Sequence, residues 1–335
     1  MRSYLFSFPL VFLLMVSAAF ASDGDSLTQR RQILSPCHPD ATNVLDGMIN
    51  TNFQLALKKA NRKRKPSCQD LERALLDRLG DKKILGVSIP VGPLEKPIDS
   101  GLTKDYRING QRVKIPSLAI PRAESIYRDA EFCESPGVVL GMASHFKLGG
   151  IVVGSDKLTH FFAQGYEYIE VYRECGLNAA VQHGIKTEKG KYGLSGNGIY
   201  SNGDLAANYS GLLFWLNLTH PQAGYFTKCK GKWVQSRRFS WRCHANAAWD
   251  EGINPPCGPA VQKAMPYVAA LVRCNKIDHC PPLHHEKIPR IANHYPAWVL
   301  PKILHAKTLA SVYSAPSIPV AVAEKRDADT AMSLK

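Results

Sequence analysis

Beyond residue 21 the chain lacks any apolar run approaching the length needed to cross a bilayer as a helix, so a helical anchor in its body is excluded. It also lacks paired C-x-x-C spacing, so its nine cysteines do not form a zinc pattern. Gly193-Leu194-Ser195-Gly196-Asn197-Gly198 has no Lys-Ser/Thr ending and is not a phosphate loop. Internal repeats are absent, which removes solenoids. Acidic residues are scarce: 28 Asp and Glu stand against 42 Lys and Arg, giving a formal charge of +14. Such a balance draws a protein to polyanions or anionic membrane surfaces.

What is present begins with export. Met1-Arg2, the apolar run Tyr4 to Val16 and Ala19-Phe20-Ala21 have the order of a charged start, a hydrophobic region and an A-x-A cleavage site. The expectation is a signal peptide over 1–21 and an exported mature chain, periplasmic or secreted, with a charge of +13 once Arg2 is removed. In that compartment disulfides persist, so the cysteines predict a stapled fold, with Cys229–Cys243 and Cys274–Cys280 as local pairs and one cysteine left over. The expected fold class is mainly α with a small β element, in one helical domain over 36–305 followed by a disordered tail over 306–335.

Helices are predicted over 38–60 and 68–80, joined by the basic run Lys58 to Lys65, with Pro66-Ser67 as stop and cap. Short β-like pieces follow at Ile84–Ile89 and Val113–Ile120. A helix is expected from Pro121 towards Cys133, another from Asp156 to about Cys175, then a glycine-rich loop over 184–203 and a helix from Asp204 to about Leu218. A hairpin around Lys228–Lys232, a short helix from Trp241 to Gly252, a helix over 258–274 and a Pro- and His-rich extended stretch over 276–301 complete the reading.

At 100° per residue, Asp156, His160, Glu167 and Glu174 fall within about 40° on one helix face. An Asp/His pair one turn apart, continued by Glu, suits metal binding or acid/base work, and is also the polar stripe of an ordinary amphipathic helix. The second helix is apolar nearly all round, so Asp204 and Asn208 are buried and need partners. Asp204 can serve as N-cap. Ala207 and Gly211 would admit a close neighbour, and His160 or Asp156 is the expected partner of Asn208. Asp250 and Glu251 add carboxylates near the rim, where a facing pair could cut glycosidic bonds or simply be solvated.

The strings D-K-x-x-H-F at Asp156–Phe161 and D-x-x-A-N-x-x-G at Asp204–Gly211 resemble the signature of VanZ-like proteins and related bacterial envelope families. In those families such helices are membrane-embedded, whereas here the first carries Gln164, Glu167, Glu170, Arg173 and Glu174. The resemblance covers these two helices only and implies an envelope setting without a mechanism.

Two functions follow from the same residues. Asp156, His160, Asp204 and Asn208, with Glu167, Asp250 and Glu251 at the rim, are candidate catalytic groups of a hydrolase acting on an envelope polymer or lipid. In the alternative the network is structural, within a non-enzymatic envelope binding or scaffold protein. An open cleft marks the first and a sealed network the second. The metal and any cofactor stay open. The basic run lacks interleaved aromatics, so the expected partner is an anionic envelope polymer or membrane surface rather than nucleic acid. His279, Cys280, His284, His285 and Glu286 resemble ligands on a segment without a rigid scaffold, and Gly193–Gly198 is a flexible loop or a lid beside the polar site.

Overall fold

The computed structural model describes residues 23–80, 82–84, 87–89, 94–190, 192–273 and 287–314. Among these, helices α1 (Arg30–Leu34), α2 (Thr42–Ala60), α3 (Cys68–Leu79), α4 (Glu95–Asp99), α5 (Pro136–Leu140), α6 (Asp156–Thr159), α7 (Gly165–Lys189), α8 (Leu194–Asn197), α9 (Asn202–Leu216), α10 (Pro259–Arg273), α11 (Leu300–Ile303) and α12 (Ala306–Ser314) dominate. Strands β1 (Lys82–Ile84), β2 (Val87–Ile89), β3 (Leu102–Ile108), β4 (Gln111–Lys114), β5 (Ser117–Leu118), β6 (His145–Leu148), β7 (Ile151–Gly154), β8 (Phe226–Cys229) and β9 (Lys232–Gln235) form four small antiparallel sheets, only β5-β6-β7 having three strands. The fold is mainly α with small β elements, as the sequence predicts. None of the described helices is long and apolar enough to cross a membrane.

Among the described residues there is no disulfide staple. Cys37, Cys68, Cys133, Cys175, Cys229, Cys243 and Cys257 are all exposed free thiols, so Cys229 and Cys243 do not pair. Cys274 and Cys280, like the whole segment His279 to Glu286, lie outside the described residues. Apolar packing does the holding instead. Helix α2 places Leu45, Met48, Ile49, Phe53, Ala56, Leu57 and Ala60 at helical spacing into the core. It starts where Asp40 accepts from the Thr42 amide and stops at Asn61. Helix α3 begins with a capping box, Ser67 Oγ accepting from the Asp70 amide and the Asp70 carboxylate accepting from the Ser67 amide.

The site rests on one hairpin and two crossing helices. Strands β6 and β7 turn through Gly149-Gly150, both at positive φ (60° and 80°), which suits a two-residue hairpin. From β7 the chain passes through Ser155 directly into α6. Residues His160–Gln164 then widen into a π turn before α7. A π turn leaves a main-chain carbonyl over, and the Trp215 indole N–H donates to Phe162 O at 3.0 Å. Helix α9 crosses there on glycine: a Cβ on Gly211 would sit 1.9 Å from Phe161 O, and one on Gly165 2.7 Å from Gly211 Cα. Below the crossing, Phe53, Phe161, Phe162, Phe214, Phe239 and Trp241 make mostly edge-on or tilted contacts, as ring quadrupoles prefer.

Several expected elements take other forms. The helix expected from Pro121 is a single 3-10 turn, Arg122–Glu124, ending where Ser125 becomes extended. Trp241 to Gly252 holds two 3-10 turns rather than one helix, because the side chains of Ser240 and Asn246 each cap a new start. The first site helix runs on to Lys189, bending at Gly176 (φ 82°), so the expected glycine-rich loop is helical over 184–189. Leu300, Ile303 and Leu304 pack into the main core. Part of the tail read as disordered is helix α12, held by Val312 and by the Thr308 hydroxyl on Ile253 O.

Candidate functional site: a buried lysine among carboxylates

Two helix starts and one loop converge on the Lys157 ammonium. Lys157 and Asp156 occupy the first turn after β7, Asp204 the first turn of α9, and Glu251 the loop after Trp249. Lys157 Nζ lies 2.5 Å from Asp156 Oδ2, 2.6 Å from Asp204 Oδ1 and 2.8 Å from Glu251 Oε1. The N-cap of α9 is Ser201, not Asp204: Ser201 Oγ accepts from the Asp204 amide (3.1 Å) and donates to Glu251 (2.6 Å). Relieved of capping, the Asp204 carboxylate bridges Lys157 and His160, whose Nε2 lies 3.1 Å from Asp204 Oδ2. Small residues make room. A Cβ on Gly154 would meet Asp156 Oδ1 at 2.2 Å, and one on Gly203 would press Lys157 Cε at 3.0 Å.

His160 Nδ1 lies 3.0 Å from the Asn208 amide, so the predicted pairing of these helices holds. With Nδ1 protonated, Asn208 Oδ1 accepts from it, and Asn208 Nδ2 donates to Gln164 Oε1 (3.1 Å) and the Tyr168 hydroxyl (3.4 Å). The opposite amide orientation sets nitrogen against a neutral Nδ1. The orientation therefore follows the imidazole proton.

Burial and charge pull in opposite directions here. Desolvation alone would depress the His160 pKa, but the charge of Asp204 and its hydrogen bond raise it to about 10. Burial likewise opposes the Lys157 charge, and Asp156, Asp204 and Glu251 outweigh it, holding the ammonium well above its ordinary value. Asp204 is pressed upward by desolvation and still driven far below the carboxylate range by His160 and Lys157. Two more carboxylates border this charge. Glu188 is pushed up to about 8 by burial and by Asp204, and its Oε1 accepts from the Ser201 amide at 2.8 Å. Asp23, which accepts from Asn197 Nδ2 at 2.7 Å, is raised well above its usual value by burial, then by Asp204 and Glu251.

Asp156, Lys157, His160, Asp204, Asn208 and Glu251 are each between 1 % and 5 % exposed. Among the described residues Asp156, His160 and Asp204 bring ligand-type atoms within 4.8 Å of one another, a donor set that suits a divalent cation. The Lys157 ammonium already pairs with both carboxylates of that set and supplies the positive charge a metal would bring. Asp156 Oδ1 is left without a hydrogen-bond partner.

Four of the seven candidate residues, Asp156, His160, Asp204 and Asn208, come together as expected, and Glu251 joins them inside the network instead of at its rim. Asp250 belongs to a separate buried pair: its two oxygens accept from Arg30 at 2.5 and 2.9 Å, with Val152 N donating at 3.0 Å. It does not face Glu251 across a cleft. Glu167 is elsewhere, accepting from the Tyr192 hydroxyl at 3.0 Å, with His183 Nε2 at 3.7 Å. The extra residue of the π turn rotates everything downstream by about 100°, which takes Glu167 and Glu174 off the Asp156/His160 face. Gly193–Gly198 is no free lid, since Gly196 and Asn197 are buried and Asn197 bonds Asp23. The residues missed from sequence are Lys157, Ser201, Glu188 and Asp23. Lys157 stood inside the D-K-x-x-H-F string, and its signal was a lysine immediately preceding the apolar Leu158 on a helix start that glycine and valine lead into.

No family model, no curated protein and no solved structure matches this chain.

Proposed function

We propose that the protein is an exported, non-enzymatic envelope binding or scaffold component, and that the Lys157 network is the lock holding its two central helix starts together. The observation that carries this reading is burial: every member of the network is at most 5 % exposed, and a hydrolase needs its acid and base to open onto a cleft. The bonding order supports it too. Lys157, His160, Ser201 and Asn208 spend their hydrogen bonds on one another and on Asp156, Asp204, Glu251 and Gln164, leaving little for a substrate.

The hydrolase reading keeps one specific support, the Asp156/His160/Asp204 donor set with the unpaired Asp156 Oδ1. Thermal melts of the mature protein separate the two, with wild type beside His160→Ala and Asp156→Asn, each with chelator and with added divalent cations. A lock predicts several degrees of loss in both variants and no response to metal. Unchanged or raised melting in the variants, or stabilisation of wild type alone by a metal, would assign the site to a ligand.

A further inference from the structure

Away from the network a groove of about 440 Å³ is lined by Gly47, Asn50, Thr51 and Gln54 of α2, Tyr106 of β3 and the stretch Gln235 to Arg238. Its floor is a chain of amides. Gln54 Nε2 donates to Gln235 Oε1 at 2.6 Å, and Gln235 Nε2 donates to Asn50 Oδ1 at 2.7 Å and to Arg237 O at 2.9 Å. Gly47 exists here for the aromatic wall: a Cβ would stand 2.3 Å from Tyr106 Cζ, so the ring lies directly on the helix backbone. Arg237, held over the Tyr225 ring at 4.3 Å, and Arg238 are exposed at one end.

The groove has a direction. Gly47, Asn50, Thr51 and Gln54 share one face of α2, and at 100° per residue Lys58 continues that face about 6 Å beyond Gln54. There it meets the basic run, where Lys232 of the hairpin clamps the carbonyls of Asn61 and Lys63. The acids of this face are largely occupied: Asp77 pairs with Lys59, Asp70 with Lys63, and Asp105 with Arg78, while Asp46 accepts from the Trp241 amide beside Arg238 and Arg242.

We propose that this groove is a binding track for a linear anionic polysaccharide, a carboxylated or phosphorylated glycan whose hydroxyls meet the amide floor, whose ring packs on Tyr106 and whose acid groups meet Arg237, Arg238 and the Lys58 end. A single phosphate would need neither the amide floor nor the length. A nucleic acid would call for more aromatic stacking than one tyrosine supplies. The track deepens the binding reading given above, but does not need the lock to be structural.

The test is binding of the full mature chain to polygalacturonate oligomers, with neutral dextran, single-stranded DNA and anionic phospholipid vesicles as comparators. The expected result is salt-sensitive binding to polygalacturonate and none to dextran, with Arg238→Glu and Lys58→Glu each costing about tenfold. Lys263→Glu, an equal charge change at a lysine paired with Glu131 and Glu134, should cost under about twofold. Gln54→Leu, which leaves the charge untouched, should also weaken binding. No binding, equal loss in Lys263→Glu, no loss in Gln54→Leu, or a preference for DNA or vesicles overturns the proposal. Melting temperatures of the groove variants should match wild type, so failure here is distinct from failure of the lock.

Discussion

The Lys157 network and the α2 groove use the same side chains to opposite ends. In the first, a lysine and a histidine sit in a dry interior where each charge is answered by a carboxylate within 3.1 Å. In the second, arginines and lysines stand in water with most nearby acids already taken. A buried charge cannot be removed without stranding its partners, whereas an exposed one can be removed almost freely and matters only to what approaches. The comparison teaches that composition fixes the means and burial decides the use.

The harshest way to break the contrast is Lys157→Met, which strips Asp156 and Glu251 of their cation and leaves Asp204 with His160 alone. We expect a loss of about 3–5 kcal/mol, read by denaturant unfolding. Next is Gly211→Ala. The added carbon would press the Phe161 carbonyl, a backbone atom that cannot swing aside, and should cost about 2–3 kcal/mol in the same assay while touching no charge.

Alkaline pH should act more gently. His160 holds its proton to about pH 10 when folded and releases it near 6.5 when unfolded, so its contribution is complete below 6.5 and is lost as pH rises through 10. Glu188 pushes the same way: it is protonated to about pH 8 folded and ionises near 4.5 unfolded, so stability falls as pH rises between those values. Melting should therefore drop from pH 7 to pH 10, above the range in which the lowered His145, His244 and His305 act the other way, and Glu188→Gln should flatten the part below pH 8 while keeping an acceptor for the Ser201 amide. At the bottom of the scale Arg238→Glu should change stability by less than about 0.5 kcal/mol.

How much of this could be read from the sequence varies by element. The two helices that make the site, their buried face and the His160–Asn208 contact were legible because an all-apolar helix carrying Asp204 and Asn208 has to find partners for them. The close crossing was legible in Gly211, though its opposite number Gly165 was not singled out. What failed did so for local reasons. A π turn is invisible to a 3.6-residue period, so Glu167 was carried onto the wrong face. Ser201 took the cap one turn ahead of Asp204, which freed that carboxylate for Lys157. Lysine is so rarely buried that nothing singled out Lys157, and its place depends on Glu251, 94 residues away. The disulfide expectation rested on compartment and count alone, and spacing carries no information on whether two sulfurs approach.

The most direct measurement of the central claim is amine acylation of the native protein with peptide mapping, because it asks whether the Lys157 ammonium ever sees solvent. A sealed lock predicts that Lys228 and Lys230 label quickly while Lys157 labels only at the rate of global unfolding, accelerating in step with added denaturant. Labelling of Lys157 in the native state, far faster than unfolding, would mean that the network opens to water as a reaction centre must, and would contradict the account.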